Sequence, residues 1–445
     1  MFQTFKNAWK VPDLRKKLLF TLLIILLYRI GACIPVPFVD PQSIEGAGQF
    51  FSSNIFQFIN WMSGGAFSQG TLFALSVTPY ITASIVMQLL TIAIPALEKI
   101  SKDGEEGKKK IATITRWVTV GLALITAFGY FKILESQGML LLSKLDKGMY
   151  YFGAVLMILC LCAGASLIMW LAEKINVHGI GNGISMILFA NILSRGSNAV
   201  TSLVGMITGI KVPAEQPNSA WWRYTLGGLE VVLSLALALA AVVLVVWFTN
   251  SERRIPIQYA KRVVGRKMYG GQSSNLPLKM NMAGVMPLIF ASSIVSIPAT
   301  IASFTNPDGG YYKFIENYFN QATTVYIVLF IALIFLFSYF YITISFNPVE
   351  VANNIRSNGG SIPGIRPGKP TSDYIKKVLN RITFIGAVFL AVISGLPMII
   401  AVFAPGFSSM AFAGSSLLII VGVALETVRE LEAQLAMRNY KGFLD

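Results

Sequence analysis

The stretch ALSVTPYITASIVMQLLTIAIPALEKISKDGEEGKKK, which runs from Ala74 to Lys110, decides the fold. Its first part is apolar and long enough for a membrane-spanning helix, which needs about 20 mostly apolar residues. Its second part is rich in lysine and glutamate, as expected where a chain leaves lipid for water. The stretch therefore predicts a spanning helix followed by a charged loop.

The same alternation of apolar runs and charged loops extends over the whole chain. Of its 445 residues 54% are apolar and 13% are charged, whereas soluble domains carry about 25% charged residues. The apolar runs predict ten spanning helices, centred near Ile25, Ile85, Ala123, Leu159, Asn191, Leu239, Ser292, Leu333, Leu390 and Leu418. An all-α polytopic membrane protein is the predicted fold class.

The basic residues predict the orientation of these helices. With ten spans, 28 of the 36 Lys and Arg lie on one side of the membrane, seven lie on the other, and Arg29 lies within the first span. Cytoplasmic loops carry the excess of Lys and Arg. Both termini and the long loops are therefore predicted to be cytoplasmic.

Two features point beyond a plain helical bundle. The fifth span, 184–207, carries several polar residues, which a membrane tolerates where a helix faces protein or water. The loop 253–279 carries seven basic residues and is too long for a simple connection. The first feature suggests an aqueous cavity, and the second suggests docking to an acidic protein or to RNA.

The sequence lacks the residues that several classes of function require. The only histidine, His178, has no nucleophile or metal ligands in a recognised pattern, so no enzyme, cofactor or metal site is predicted. The glycine-rich run Gly179–Gly183 follows a membrane helix and not a strand, which removes the context of a dinucleotide site. An ion-coupled carrier would place carboxylates near the midplane, but Glu98, Glu230 and Glu426 lie near predicted helix ends.

The segment FQFINWMSGGAFSQ, Phe56 to Gln69, is apolar but too short to span the membrane. Gly64 and Gly65 interrupt it. Non-helical backbone at membrane depth persists only where it is buried in protein or lines water. From the residues alone, the segment is either an interfacial helix or a re-entrant segment.

Four long stretches resemble the SecY family of protein-conducting channels. The run from Ala74 to Lys110 resembles its second-helix signature, and WLAEKINVHGIGNGIS, Trp170 to Ser185, resembles its second signature. The stretches 252–294 and 346–383 resemble its two long cytoplasmic loops and the adjoining helices. The similarity extends from the N-terminal tail to the last helix.

The resemblance implies two pseudo-symmetric five-helix halves around a central hourglass pore. They would comprise residues 1–212 and 213–445, with cytoplasmic loops at about 249–280 and 347–381. A ring of aliphatic side chains would close the pore, at Val77, Ile81, Leu188, Met286, Ile294 and Ile419. A short plug helix, within about 56–69, would seat against this ring and include Ile59, Met62, Ser63, Gly64, Gly65, Ala66 and Phe67.

The resemblance also implies sites for clients and partners. Gln88, Asn182 and Asn281 match polar positions near a lateral gate, although interhelical hydrogen bonding explains such residues equally well. Arg254, Arg266 and Arg366 match positions that dock the SecA ATPase or the ribosome, and solvated loop charge is the simpler alternative. SecE and SecG subunits, preprotein signal sequences and membrane lipid are the other implied partners.

The expected function is therefore translocation of unfolded preproteins across a bacterial plasma membrane, with lateral release of transmembrane segments. The expected channel is not an enzyme and needs no cofactor, because SecA or the ribosome supplies the energy. Two other classes stay open: a secondary transporter of small solutes, and a scaffold or insertase without a pore.

Overall fold

A computed structural model describes residues 2–40, 59–60, 62–141, 146–196, 232, 236, 238–259, 262–264, 267–269, 273–302, 309–319, 323–403 and 413–441. The chain divides into two compact units. The first comprises Met1–Leu239, Ser292–Tyr326 and Ile419–Asp445, and the second comprises Ala240–Ala291 and Ile327–Leu418. The predicted boundary between halves, at residue 212, lies outside the described residues and stays a prediction.

Helices dominate the described parts of the chain. Before the first strand they are α1 (Phe2–Lys10), α2 (Pro12–Ala32), α3 (Thr78–Ala93), α4 (Pro95–Lys102), α5 (Gly104–Ser136), α6 (Lys147–His178), α7 (Gly183–Ser194) and α8 (Ala238–Asn250). After the fourth strand they are α9 (Met286–Ala302), α10 (Gly310–Tyr318), α11 (Thr324–Ser345), α12 (Pro348–Ser357), α13 (Lys369–Phe403) and α14 (Ala413–Lys441). Each of the ten predicted centres lies within one of these helices, so the mainly helical membrane fold is confirmed.

The number of spans stays a prediction. Among the described residues, four helical stretches are long and apolar enough to cross a membrane: Gly104–Ser136, Lys147–His178, Thr324–Ser357 and Lys369–Ile400. A fifth is added if α3 and α4, which meet at a bend of 101°, count as one span. The bend has a local cause, because Pro95 follows α3 and cannot continue its hydrogen bonding.

Apolar side chains on the outside of the helices identify lipid as their solvent. Along α2, large aliphatic residues are about half exposed at Leu19, Leu22, Leu23, Leu26, Leu27 and Ile30. On the other side of α2, Thr21, Ile24 and Tyr28 are buried. A soluble protein rarely leaves so large an apolar stripe in water.

In the second unit, both long cytoplasmic-type loops contribute to one β-sheet. Strand β1 (Glu252–Tyr259) pairs antiparallel with β4 (Ser273–Lys279) and, at its other edge, with β5 (Gly360–Ser361). A separate two-stranded ribbon joins β2 (Arg262–Val264) and β3 (Lys267–Tyr269). The predicted loop 249–280 is therefore largely strand.

An aliphatic core lies beneath this sheet. Ile255 and Ile257 alternate with exposed neighbours along β1, as a half-buried strand requires. They pack with residues from β4, α11, α12 and α13 and with the residue after β5, namely Leu278, Ile342, Ile355, Ile375, Leu379, Ile382 and Ile362. The core fixes the two basic loops to helices of the second unit.

In the first unit, glycines allow α6 and α7 to pack closely. A Cβ atom at Gly183 would lie 2.0 Å from the carbonyl oxygen of Ala172, and one at Gly179 would lie 2.6 Å from Thr21 Oγ1. Gly181 has a φ of +80°, in the left-handed region. The glycine-rich run thus forms a tight connection between α6 and α7.

We expect Gly183→Ala to destabilise the protein, since the added methyl group must push α6 and α7 apart. Overpacking of this kind costs about 1–3 kcal/mol, which lowers the melting temperature in detergent by a few degrees. Gly121→Ala is the matched control, because a Cβ atom there meets no atom within 4 Å. Equal melting temperatures for Gly183→Ala and the parent would contradict the packing role.

Candidate functional site

The segment that matches the plug, residues 59–70, is called the plug segment below. Its described part is compact but is not one continuous helix. Ile59, Asn60 and Met62 are helical, and turns follow from Ser63 to Gly70. Gly64 and Gly65 have φ values of +66° and +94°, which a right-handed helix cannot include. Residues 56–58 and Trp61 lie outside the described residues.

Side chains of the segment form hydrogen bonds with the backbone of the same segment. The buried Ser63 hydroxyl accepts a hydrogen bond from the Phe67 N–H at 3.0 Å and donates to the Asn60 carbonyl at 3.1 Å. The Asn60 side-chain oxygen accepts from the Ser68 N–H at 3.3 Å. Buried backbone groups outside regular structure need such partners. The turns are therefore an ordered unit.

Asn191, in the middle of α7, ties the segment to the body of the first unit. Its amide nitrogen donates to the Met62 carbonyl at 2.7 Å and approaches the Ser76 hydroxyl at 3.3 Å. Ser76 Oγ in turn donates to the same Met62 carbonyl at 3.1 Å. Asn191 and Ser76 are 0% and 1% exposed, so neither bond competes with bulk water.

A second anchor holds the other end of the segment. The Tyr130 hydroxyl, on α5, donates to the Phe67 carbonyl at 2.6 Å. The rings of the two residues are also in contact, with centroids 4.8 Å apart. Phe67 and Tyr130 belong to the apolar cluster formed by α5, α6 and neighbouring loops. Hydrogen bonding and apolar packing thus act at the same residue.

Close backbone approach at Gly64 supplies a third contact. A Cβ atom there would lie 3.1 Å from the Cα and the carbonyl oxygen of Asn191 and 3.1 Å from Arg29 Nη1. The Arg29 guanidinium donates to the carbonyl of Ala190. Arg29, in the last turn of α2, is thereby placed between the segment and α7.

Ser76 links this network to the ring positions. It adopts a φ of +51°, a conformation that is uncommon outside glycine. Its hydroxyl contacts hold that conformation, and the next residue, Val77, is the N-cap of α3. Leu188 lies one turn before Asn191 on α7, so both face the same way. The two polar groups that hold Met62 are therefore close in sequence to two ring positions.

The predicted ring residues are aliphatic side chains with little exposure. Val77, Ile81, Leu188 and Ile419 are buried, and Met286 and Ile294 are partly buried. Five of them belong to the first unit, and Met286 belongs to the second. Their joint closure of a pore stays a prediction.

The three lateral-gate positions have different local roles. Asn182 caps α7, since its side chain accepts from the N–H groups of Ile184 and Ser185. Gln88 donates to Ser84 within α3 at 3.3 Å. Asn281 is buried and lines a small cavity of the second unit together with Ser338 and Thr383.

Two of the three docking arginines can be placed. Arg254 is exposed on β1 and forms an ion pair of 2.6 Å with Glu252. Arg366 is exposed at the tip of a loop that turns at Gly364 and Gly368, whose φ values are +80° and +102°. The loop tip is braced because the Arg366 carbonyl accepts from Thr371 Oγ1 at 2.9 Å. Arg266 lies outside the described residues.

The surroundings of these arginines are strongly basic. Within 249–280 and 347–381, the described and exposed cations are Arg253, Arg254, Lys279, Arg356, Arg366, Lys369, Lys376, Lys377 and Arg381. The described acids in the same ranges are Glu252, Glu350 and Asp373. This excess of positive charge sits on the sheet and the helix ends of the second unit.

Comparison with known proteins identifies the family. The SecY family model matches residues 71–428. Over the full length of both chains, the protein is 44% identical to the protein translocase subunit SecY of Streptomyces coelicolor and 41% identical to that of Mycobacterium tuberculosis. The chain belongs to the SecY family. It is accordingly a multi-pass membrane protein.

Solved structures share the SecY-family fold. One, described as the structure of a protein conducting channel, matches with a TM-score of 0.62 at 18% identity and covers 96% of both chains. Sec61 in a canine ribosome-channel complex matches with a TM-score of 0.58 at 16% identity, again over 96% of both chains. At this identity the likeness shows the fold alone.

Sequence reasoning missed the residues that anchor the plug segment. In the sequence, Asn191 is one of several polar residues in the fifth span, and no pattern marks Tyr130 or Ser76. Their partners lie far away in sequence, since Asn191 and Met62 are 129 positions apart. The intramembrane charge of Arg29 was the one signal available, because such residues commonly mark function.

We expect Asn191→Leu to loosen the plug segment in this SecY-family protein. The change removes one of the two hydrogen bonds to the buried Met62 carbonyl, which costs about 0.5–1.5 kcal/mol because Ser76 still donates to it. The cysteine of Ala66→Cys, in a chain that lacks Cys33, Cys160 and Cys162, should then be alkylated about 2- to 10-fold faster. Ala66 is only 2% exposed in the parent.

Thr119→Ala is the matched control for this measurement. Thr119 is equally buried, but its hydroxyl donates to the Thr115 carbonyl of its own helix at 2.7 Å. It should leave the alkylation rate at position 66 unchanged. An unchanged rate for Asn191→Leu as well would show that Asn191 does not hold the segment.

Proposed function

We propose that this protein is the protein-conducting channel of the general secretion pathway. It passes unfolded preproteins across the membrane and releases transmembrane segments sideways into lipid. The observation that carries the proposal is the ordered run of turns that follows Met62, held by buried hydrogen bonds from residues that are close in sequence to ring positions. Full-length relatives bear the name protein translocase subunit SecY, and the fold is that of a protein conducting channel.

The proposed seal combines the aliphatic ring with the plug segment. A narrow apolar constriction resists ions because it cannot replace their hydration shell and dewets. The same side chains can move aside for an extended polypeptide, since apolar contacts are not directional. A related structure is described as showing that the plug domain of the SecY protein stabilises the closed state and maintains a membrane seal. The contacts of Asn191, Ser76 and Tyr130 would serve that purpose in this chain.

Clients would enter between the two five-helix halves, 1–212 and 213–445. A signal sequence would pass the polar positions Gln88, Asn182 and Asn281 on its way to lipid. The SecE and SecG subunits would complete the heterotrimer and support the helices from outside. Asn182 caps α7, the helix that also carries Leu188 and Asn191, so a change at Asn182 would also affect the start of that helix.

The basic face of the second unit is the proposed docking site for the SecA ATPase and the ribosome. Its cations complement an acidic protein surface or ribosomal RNA. Structures of related channels include complexes with the ribosome. Arg254, Arg266 and Arg366 would contact the partner, which supplies the energy, and the channel itself would catalyse no reaction.

The proposed location is the inner, or plasma, membrane of a bacterium, with both termini in the cytoplasm. The excess of Lys and Arg in the terminal segments and long loops supports this orientation. It places the docking face on the side where SecA, ribosomes and ATP are found.

The other two classes fit the residues less well. A secondary transporter would need ionisable groups near the midplane, and the described carboxylate Glu98 is exposed and paired with Lys102. A scaffold without a pore would have no use for an ordered segment held by Asn191, Ser76 and Tyr130. Neither class explains the basic sheet of the second unit.

Precursor import into liposomes tests the proposed function. The channel is reconstituted with SecE and SecG, and a radiolabelled precursor is added with SecA and ATP. We expect precursor to become protected from external protease, and protection to require both SecA and ATP. Absence of protected precursor with active SecA would overturn the proposed function.

Arg366→Glu tests the docking face in the same assay. Reversal of a charge at an electrostatically complementary contact should lower the import rate at least about tenfold. Lys109→Glu, an equal charge reversal at an exposed position of α5, should retain most of it. Full import by Arg366→Glu would refute the docking role while leaving the channel itself intact.

A further inference from the structure

The N-terminal helix α1 has one face packed against the protein. Ala8 is fully buried and forms a small apolar cluster with Leu14, Ile180 and Leu431. At the edge of this cluster, the Thr4 hydroxyl donates to Glu432 at 3.1 Å. This face fixes α1 to α14 and to the connection between α6 and α7, within the first unit.

A second face of α1 exposes aromatic rings, and positive charges lie beyond them around the helix. Phe5 and Trp9 are 42% and 50% exposed, and they are four residues apart, so they share one side of the helix. Lys6 and Lys10 are exposed next to them. An apolar face flanked by lysines is the composition of a helix that lies in the membrane interface.

The position of α1 in the chain places this face at the membrane surface. Only Val11 separates α1 from α2, whose stripe of exposed aliphatic residues begins at Leu19. The exposed face of α1 is therefore continuous in the chain with a lipid-facing helix. Aromatic residues favour the headgroup level, where one end of the ring is apolar and the other is wet.

The charge of this region selects the kind of lipid. The first 17 residues carry five cations, Lys6, Lys10, Arg15, Lys16 and Lys17, and a single acid, Asp13. A basic residue close to an anionic membrane surface is attracted to the lipid phosphates. Zwitterionic headgroups offer no comparable gain.

We propose that α1 is an interfacial helix that binds anionic glycerophospholipid. Phe5 and Trp9 insert among the acyl chains at the headgroup boundary, and the ammonium groups of Lys6 and Lys10 bind lipid phosphates. Because the other face of α1 packs on Leu431 and Ile180, bound lipid fixes the end of α14 and the α6–α7 connection to the membrane surface. Its residues are distinct from those of the plug segment.

Fluorescence quenching by brominated phosphatidylglycerol tests the insertion of Trp9. The full-length chain, with its partner subunits, is placed in lipid nanodiscs, and the parent is compared with Trp9→Phe. The difference between them isolates Trp9 from the other six tryptophans. We expect the parent to be quenched more than Trp9→Phe. Equal quenching of the two proteins would overturn the proposal, because Trp9 would then be away from lipid or covered by a partner subunit.

Native mass spectrometry of bound phosphatidylglycerol tests the charge selection. The double variant Lys6→Gln/Lys10→Gln should bind this lipid about tenfold more weakly than the parent. It should bind phosphatidylcholine as the parent does. The matched control Lys109→Gln/Lys110→Gln removes the same charge from α5 and should retain the affinity of the α1 site. Equal binding of phosphatidylglycerol by the α1 variant and the parent would overturn the assignment of the lysines.

Discussion

Backbone groups that leave a helix in buried surroundings must find hydrogen-bond partners, and the segment from Asn60 to Ser76 depends on this requirement. An unpaired buried amide or carbonyl costs about 1–3 kcal/mol. The protein meets the requirement with side chains that come from several helices: Asn191 from α7, Tyr130 from α5, and Ser76 just before α3. Two of the elements concerned, α3 and α7, also carry ring positions.

This way of holding a segment suits a seal that has to open. Each hydrogen bond contributes only about 0.5–1.5 kcal/mol net, so a few of them hold the closed arrangement without locking it. A partner or client that binds the open state better by a few kcal/mol reverses the balance. An all-apolar plug would lack this property, because nothing would fix its register on Asn191 and Ser76. The same contacts stabilise the strained backbone conformation of Ser76, whose φ is +51°.

Much of the fold follows from local patterns. Apolar runs of spanning length predicted a helix at each of ten centres, and Pro95 explains the bend that ends α3. The β-sheet of the second unit was missed, although Ile255 and Ile257 show the alternation of a half-buried strand. The reason is physical: β5 lies about a hundred residues away in the chain from its partner β1, and pairing over that distance has no local signal.

The candidate site was less accessible from sequence than the helices. Polarity in the fifth span suggested water, whereas Asn191 is buried and bonded to protein. The match to a plug helix implied a helical segment, but turns follow from Ser63 onward, where Gly64 and Gly65 have positive φ. Both outcomes depend on contacts between residues far apart in the chain, such as Phe67 with Tyr130. Such contacts cannot be read from spacing.

The most direct test of this account is the resting ion conductance of Tyr130→Phe in a planar bilayer. The change keeps the ring that packs on Phe67 and removes only the hydroxyl that donates to its carbonyl. Tyr150→Phe is the control, because that hydroxyl bonds to Glu135 near the ends of α5 and α6. We expect Tyr130→Phe to conduct ions at rest while the parent and Tyr150→Phe stay closed. A Tyr130→Phe channel as tight to ions as the parent would contradict a sealing role for the segment that the Tyr130 hydroxyl holds.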